Sequence, residues 1–358
     1  MRAEPIKHWL ARIGHERRRQ ISARLLSPLS ALLALQLIFA AFASAADDSS
    51  SQQACVEMQD KVPAEQELKC YREAAQAQQT QDQLKAPPSV AMQGKTLAEE
   101  WAPAAGVPLK IYKQNYFLVT HTSQPNDTPT TPNPQNQAPF TYPLDHKEVK
   151  FQISIKNELI NFGRHTIWGG YSQQSFWQVF NTNHSTPVRE TDYEPEVIYS
   201  YRPNGWGSAS TMVNSFLNAA LVHQSNGQSR PRSRAWNRLY VQAGFEHDFG
   251  DNGRVALLPR YWKRIWADST DDDNADIVDY LGHGDLELRY YRGHGMLSAI
   301  ARSRSLQVDL ALPLRIFDIE NSNLHLQYFH GYGESLIDYN QSHTTYGIGF
   351  SVPFVDSY

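Results

Sequence analysis

The segment "VKFQISI" limits what this chain can fold into. In an extended chain Val149, Phe151, Ile153 and Ile155 fall on one face, and Lys150, Gln152 and Ser154 on the other. Successive side chains of a strand point to opposite faces, so a period of two marks a strand with one apolar and one polar surface. "DLELRYY" repeats the pattern, setting Leu286, Leu288 and Tyr290 against Asp285, Glu287 and Arg289. "LQVDLAL" repeats it again with Leu306, Val308, Leu310 and Leu312. A soluble β-sandwich would alternate in the same way. An export leader, about a dozen such segments and their aromatic ends favour a transmembrane barrel, apolar outside and polar inside.

The leader is at the N-terminus. Arg2, Lys7, Arg12, Arg17, Arg18, Arg19 and Arg24 precede the apolar run "LSALLALQLIFAAF", which ends in "ASA" at Ala43, Ser44 and Ala45. A basic region, a short apolar core and small residues at the exit describe a cleaved signal peptide, residues 1–45. The run is short for an anchor helix, which needs roughly 20 apolar residues. With 41% hydrophobic residues the chain has no material for a bundle of membrane helices. The leader holds seven basic and two acidic residues, so a whole-chain charge of −4 leaves the rest at about −9. Such an acidic chain is a poor partner for nucleic acid.

Residues 46–108 are polar, rich in Gln, Ala, Ser and Glu, and have little from which to build a core. They are predicted to form a periplasmic extension. Its two cysteines, Cys55 and Cys70, lack a CxxC spacing or a third ligand, so in an exported chain a structural disulfide is expected.

Residues 109–358 form the predicted barrel. Twelve strands are expected, starting near residues 113, 147, 165, 195, 210, 235, 253, 282, 295, 305, 323 and 344. An even number closes an antiparallel barrel without a free edge. The final segment places Tyr346, Ile348, Phe350, Val352, Phe354 and the terminal Tyr358 on one face. A last strand ending in an aromatic residue is similar to the signal read by the outer-membrane assembly machinery. With both barrel termini periplasmic, the connections after odd strands face outward. They include "SQPNDTPTTPNPQNQAP", "NTNHSTPVRE" and "ADSTDDDNAD". Long loops outside and short turns inside are the expected asymmetry.

One hairpin breaks the pattern. In "LVHQSNGQSRPRSRAWNRLYVQ" the parity that carries Leu217, Leu221, Leu239 and Val241 toward lipid also carries His223, Ser225 and Asn237. Gln224, Arg238 and Gln242 fall on the lumen face. A His and a Ser two residues apart share a strand face, about 6–7 Å apart at Cα. Asn237 opens the return strand and can meet the second ring nitrogen. Two readings follow: a polar cap where the wall leaves hydrocarbon, or a nucleophile, a base and an orienter at the depth of the outer leaflet's esters.

"HQSNGQSRPRSRAWNRLY", together with "YSQQSFWQ", "RETDYEPE" and "GYGESLIDYN", resembles the outer-membrane phospholipase A family. The resemblance covers about residues 110–358. It implies a twelve-stranded barrel of the bacterial outer membrane that hydrolyses phospholipid acyl esters as a calcium-bound homodimer. Carried over, Ser225 is the nucleophile, His223 the general base and Asn237 its orienter, with the Gly227 backbone N–H in the oxyanion hole. The calcium ligands would be the Ser233 hydroxyl, the Gln228 carbonyl and the Ser185 hydroxyl of a second subunit. Gln173, at an outward position, would pair across the dimer; a register shift of one would turn it to the lumen. Gln228 replaces the more usual basic residue, which a backbone ligand tolerates. Arg230 stands where the family can carry an acid of a further calcium site, and that puts such a site in doubt, even though Asp273 and its neighbours persist. A lipid A deacylase should be a shorter, eight-stranded barrel, and a porin needs no Ser, His and Asn on its lipid face.

Overall fold

The structure is a computed structural model that describes residues 96–103, 109–137, 139–203, 213–267, 272–293, 295–314 and 322–352. The predicted signal peptide, the extension up to residue 95 with Cys55 and Cys70, and the terminal Tyr358 lie outside the described residues. The chain divides into units 1–88 and 89–358, and every described residue belongs to the second.

The described residues form a closed β-barrel. Its strands are β2 (Asn115–Thr122), β3 (Lys147–Phe162), β4 (His165–Trp177), β5 (Val188–Tyr201), β6 (Val213–Ser225) and β7 (Ala235–Asp248), followed by β8 (Arg254–Ile265), β9 (Gly284–Arg292), β10 (Gly295–Arg302), β11 (Ser305–Pro313), β12 (Asn323–Gly331) and β13 (His343–Val352). Each pairs antiparallel with its sequence neighbour, and β13 returns to β2 with Thr345 opposite Thr122 and Val352 opposite Asn115. The ring therefore has twelve strands and no edge. The two-residue β1 (Lys110–Ile111) continues the β2 track along β3.

The barrel is inside out relative to a soluble protein. Ile153, Val241, Ile348 and Phe350 are half or more exposed, while Lys150, Lys156, Asp309 and His325 are buried. In lipid the exposed aliphatics are the satisfied ones. Several of these buried charges are paired, while Lys156 Nζ has only aromatic rings around it. Lys150 Nζ lies 2.9 Å from Glu334, and Arg189 spans Glu148 at 3.1 Å and Asp338 at 2.7 Å.

One end of the barrel carries tight connections, such as Gly163–Arg164 between β3 and β4, where Gly163 takes φ +78. The other carries the long ones, 123–146, 178–187, 226–234, 266–283 and 332–342. The long loops interlock. Arg234 is buried and donates to the carbonyls of Ser233, Thr130 and Asn136, while Thr131 Oγ1 donates to the Asp273 carbonyl. Burial lowers the pKa of the Arg234 guanidinium. Glu334 and Asp338 sit in loop 332–342. Burial alone would raise both carboxyls, but Lys150 beside Glu334 and Arg189 beside Asp338 outweigh it and hold them below the usual carboxylate range.

The short-turn end is filled by residues 96–103, which the sequence groups with the extension. A short helix, α1 (Leu97–Glu100), is held by a Thr96–Glu99 capping box and leads into the buried Trp101. Trp101 packs on Trp168 and Phe216, and Lys156 Nζ lies 3.4 Å from its ring centroid. Glu100 pairs with Arg289 at 3.1 Å. Leu97 and Trp101 become core only through barrel residues far away in sequence.

β5 differs from the sequence expectation. It begins at Val188, not near residue 195. "RETDYE" is charged because Arg189, Glu190 and Asp192 are buried in the lumen, where a charged strand looks like a loop to any hydrophobic pattern.

Candidate active site

β6 and β7 pair so that His223 lies opposite Asn237, and Ser225 opposite Ala235. Leu221 and Leu239, one pair deeper, are 45% and 46% exposed, so this row of the wall faces outward. Alternate positions face the lumen and are tightly held. Gln224, between His223 and Ser225, accepts from Trp236 Nε1 at 2.8 Å and Arg238 NH2 at 3.0 Å. Trp236 and Arg238 flank Asn237 and are buried, and Arg238 also reaches Glu194 at 2.7 Å. The lumen contacts thus fix both strand segments, and the three outward side chains follow from the alternation.

His223 Nδ1 lies 2.8 Å from Asn237 Oδ1. An amide oxygen only accepts, so Nδ1–H donates and Nε2 is left as the basic nitrogen. Among the described residues, no hydrogen bond ties Ser225 Oγ to His223 or to any other group. Ser225 lies two residues along the same face and opposite Tyr193 of β5.

The loop after Ser225 is drawn tight by a residue whose role the motif does not reveal. Asn226 Oδ1 accepts from the N–H groups of Arg234 at 3.0 Å and Gln228 at 3.3 Å, and its Nδ2 donates to the Arg232 carbonyl at 2.8 Å. Gly227 takes φ +64, and a Cβ there would meet the Tyr193 ring at 2.9 Å, so the turn demands glycine twice over. Its backbone is exposed at the outer rim.

The residues proposed from sequence as calcium ligands are oxygen donors. Ser233 Oγ donates to Asp273 Oδ2 at 2.5 Å. Gln228 turns its side chain inward to Glu190 at 2.9 Å, and so could offer only its backbone outward. Ser185 is exposed on loop 178–187, with φ +62 and no side-chain hydrogen bond among the described residues. Among the described residues there is no cluster of three or more His, Cys, Asp or Glu for a metal. The Ser233 hydroxyl beside the Asp273 carboxylate is nevertheless an oxygen-donor pair that fits a hard cation such as calcium. Arg230 Nε lies 3.8 Å from Asp273. Asp273 also accepts from Asn136 at 2.6 Å, which ties loops 123–146, 226–234 and 266–283 together at this point.

Gln173 of β4 lies opposite Ile153 and Tyr193, both outward and exposed, so it faces out rather than into the lumen. It accepts from Tyr171 OH at 2.9 Å and donates to Ser175 Oγ at 3.2 Å.

Known proteins are similar to this chain in sequence and fold. The sequence model of the family described as Phospholipase A1 matches residues 95–352. The chain belongs to that family. It is accordingly an ester-hydrolysing enzyme and an outer-membrane barrel. Phospholipase A1 of Salmonella typhimurium is 34% identical over 255 residues, 66% of this chain and 79% of that one. A relative from Neisseria meningitidis serogroup B is 38% identical over 220 residues, 58% of this chain and 55% of the relative, so the match spans only about half that protein's length. Among solved structures, the calcium-bound dimer of the Salmonella typhi outer membrane phospholipase is 31% identical, with TM-score 0.61, covering 73% of this chain and 98% of that one. The Escherichia coli outer membrane phospholipase A is 28% identical, with TM-score 0.59, covering 71% and 95%.

Two features of the site were out of reach of the sequence. Asp273 was legible only as an acid of a possible further calcium site, and only the fold brings it to Ser233. Tyr193 lay in a segment read mostly as loop, and β5 sets it against Ser225 and Gly227.

Proposed function

We propose that this enzyme hydrolyses the sn-1 and sn-2 acyl esters of phospholipids and lysophospholipids in the outer leaflet. Ser225 is the nucleophile, His223 the general base and Asn237 the orienter; the enzyme depends on calcium and is activated by dimerisation. The observation that carries this is the 2.8 Å His223–Asn237 hydrogen bond on the outer face of the barrel, with Ser225 on the same face two residues away. A porin has no use for that arrangement, whereas a lipid ester arrives from that side.

Ser225 Oγ attacks the acyl carbonyl carbon while His223 Nε2 takes the hydroxyl proton. The carbon–glycerol oxygen bond then breaks, and the same nitrogen returns the proton to the leaving alkoxide. Water, deprotonated by His223, releases the fatty acid and restores Ser225. Asn237 holds the ring in the tautomer that leaves Nε2 basic; being neutral, it stabilises the imidazolium less than a carboxylate would. The Gly227 N–H donates to the developing oxyanion. Calcium, when bound, supplies positive charge beside that oxygen. The Ser233 hydroxyl and the Gln228 carbonyl would hold it, together with the Ser185 hydroxyl of a second copy. With a single nearby carboxylate, affinity should be weak relative to acidic cages. Gln173, a polar amide facing lipid, pairs across the dimer. Phospholipid is scarce in an intact outer leaflet, so the enzyme idles as a monomer until damage brings substrate outward. Residues 1–45 are removed on export, and the extension that precedes the barrel-bound residues 96–103 stays in the periplasm.

The test is calcium-dependent fatty-acid release from phosphatidylethanolamine micelles. Wild type should release fatty acid only with calcium, and Ser225→Ala should release none. Equal release by both would remove Ser225 from the mechanism. A cross-linked dimer no more active than the monomer would end the regulatory part.

A further inference from the structure

On the outward face of the strands, among the described residues, lysine and arginine are confined to a few positions. Lys147 opens β3 and Arg292 closes β9, both at strand ends. Lys263 is set further into the wall, and it lies beside the active hairpin. It faces Leu239 across the β7–β8 ladder, as Leu239 faces Leu221 across β6–β7. The next row toward the long-loop end is Ile265, Asn237 and His223. Lys263 is therefore one strand over from Asn237 and one row deeper.

Lys150 and Arg189 in the lumen are ion-paired, whereas Lys263 is exposed and makes no hydrogen bond or ion pair among the described residues. A lysine facing hydrocarbon extends its four-carbon stem along the wall and brings the ammonium to the interface. The interface is close by. Tyr261, 59% exposed, stacks on His283, and Trp266, 73% exposed, closes the strand at φ +52. Aromatic side chains of this kind mark the headgroup level. Reaching up from its row, the Lys263 ammonium arrives beside His223 and Asn237, where adjacent strands lie only about 4.8 Å apart. The other cations near the hairpin are occupied. Arg230 contacts Asp273 and Gln135, and Arg232 lies over the Phe140 ring.

An acyl ester held at Ser225 is joined to its phosphate through the glycerol unit, so the phosphate must lie at the rim within a few ångströms of the hairpin. We propose that Lys263 binds the phosphate of the lipid being cleaved and is a specificity-determining residue for phosphorylated esters. This rests on the hydrolytic reading above. The same ammonium could instead hold a phosphate of a neighbouring, uncleaved lipid, so the test must separate the two sources.

The full enzyme would be assayed in micelles on phosphatidylcholine and, in micelles of non-hydrolysable diether phosphatidylcholine, on p-nitrophenyl palmitate, an ester without phosphate. Lys263→Ala should raise KM on phosphatidylcholine about tenfold, the scale of one charge-assisted hydrogen bond, with kcat within about twofold. Lys263→Glu should raise KM further and Lys263→Arg should restore it. None should change KM on the palmitate ester. An unchanged KM on phosphatidylcholine, or an equal change on both esters as expected of a bystander-lipid anchor, overturns the assignment. A wild type that cleaves neither ester overturns the hydrolytic reading and this one with it. A wild type that cleaves both, beside a Lys263→Ala that matches it on both, overturns this one alone.

Discussion

The inner and outer surfaces of the barrel treat polar groups in opposite ways. Inside, Arg189 spans two carboxylates, and Lys150 Nζ meets both Glu334 and Gln327, the latter at 2.7 Å. Outside, His223 has one partner, Asn237, and Ser225 has none among the described residues. A buried charge without a partner is costly, so the ion pairs around Arg189 and Lys150 contribute to the fold. In the proposed mechanism the outer trio holds a nucleophile and a base, which are useful only while unsaturated, so it should contribute little to the fold. The two surfaces meet at Gln224 and Arg238, whose lumen contacts set the outward direction of the residues beside them.

This contrast can be broken at either surface. The largest effect is expected outside: Ser225→Ala should lower fatty-acid release at least about a thousandfold while the unfolding midpoint stays put. A large fall in stability would mean the hydroxyl is structural. Inside, Arg189→Met strands Glu148 and Asp338 and should cost roughly 3–5 kcal/mol in denaturant unfolding, with activity per folded molecule retained. Asn237→Ala should lower kcat about tenfold, the value of one neutral hydrogen bond. Gln224→Ala is the sharpest probe of the link, because it should lower both stability and kcat, each severalfold less than the Arg189 and Ser225 changes lower them. The smallest effect is expected from acid. Glu334 and Asp338 have folded pKa values below their unfolded ones, so their contribution is intact above the unfolded carboxylate range near pH 4. It should fade as the pH drops below that range, loosening loop 332–342, as hydrogen exchange would report.

The barrel was legible because lipid reverses the usual burial and leaves a clean period of two. Twelve strands, the outward parity of the hairpin and the long-loop end all follow from it. What escaped was whatever the period does not encode. The start of β5 was hidden because lumen charges imitate a loop. The packing of residues 96–103 was hidden because Trp101 finds Trp168 and Phe216 only once the ring closes. The partners of Ser233 and Gly227 were hidden because Asp273 and Tyr193 arrive from other strands and loops.

The most direct test of the central claim is covalent labelling by a long-chain sulfonyl fluoride, with calcium present and the site located by mass spectrometry. The account expects one adduct per chain, on Ser225, lost in His223→Ala. An adduct on another residue, or undiminished labelling of Ser225 without His223, would contradict it.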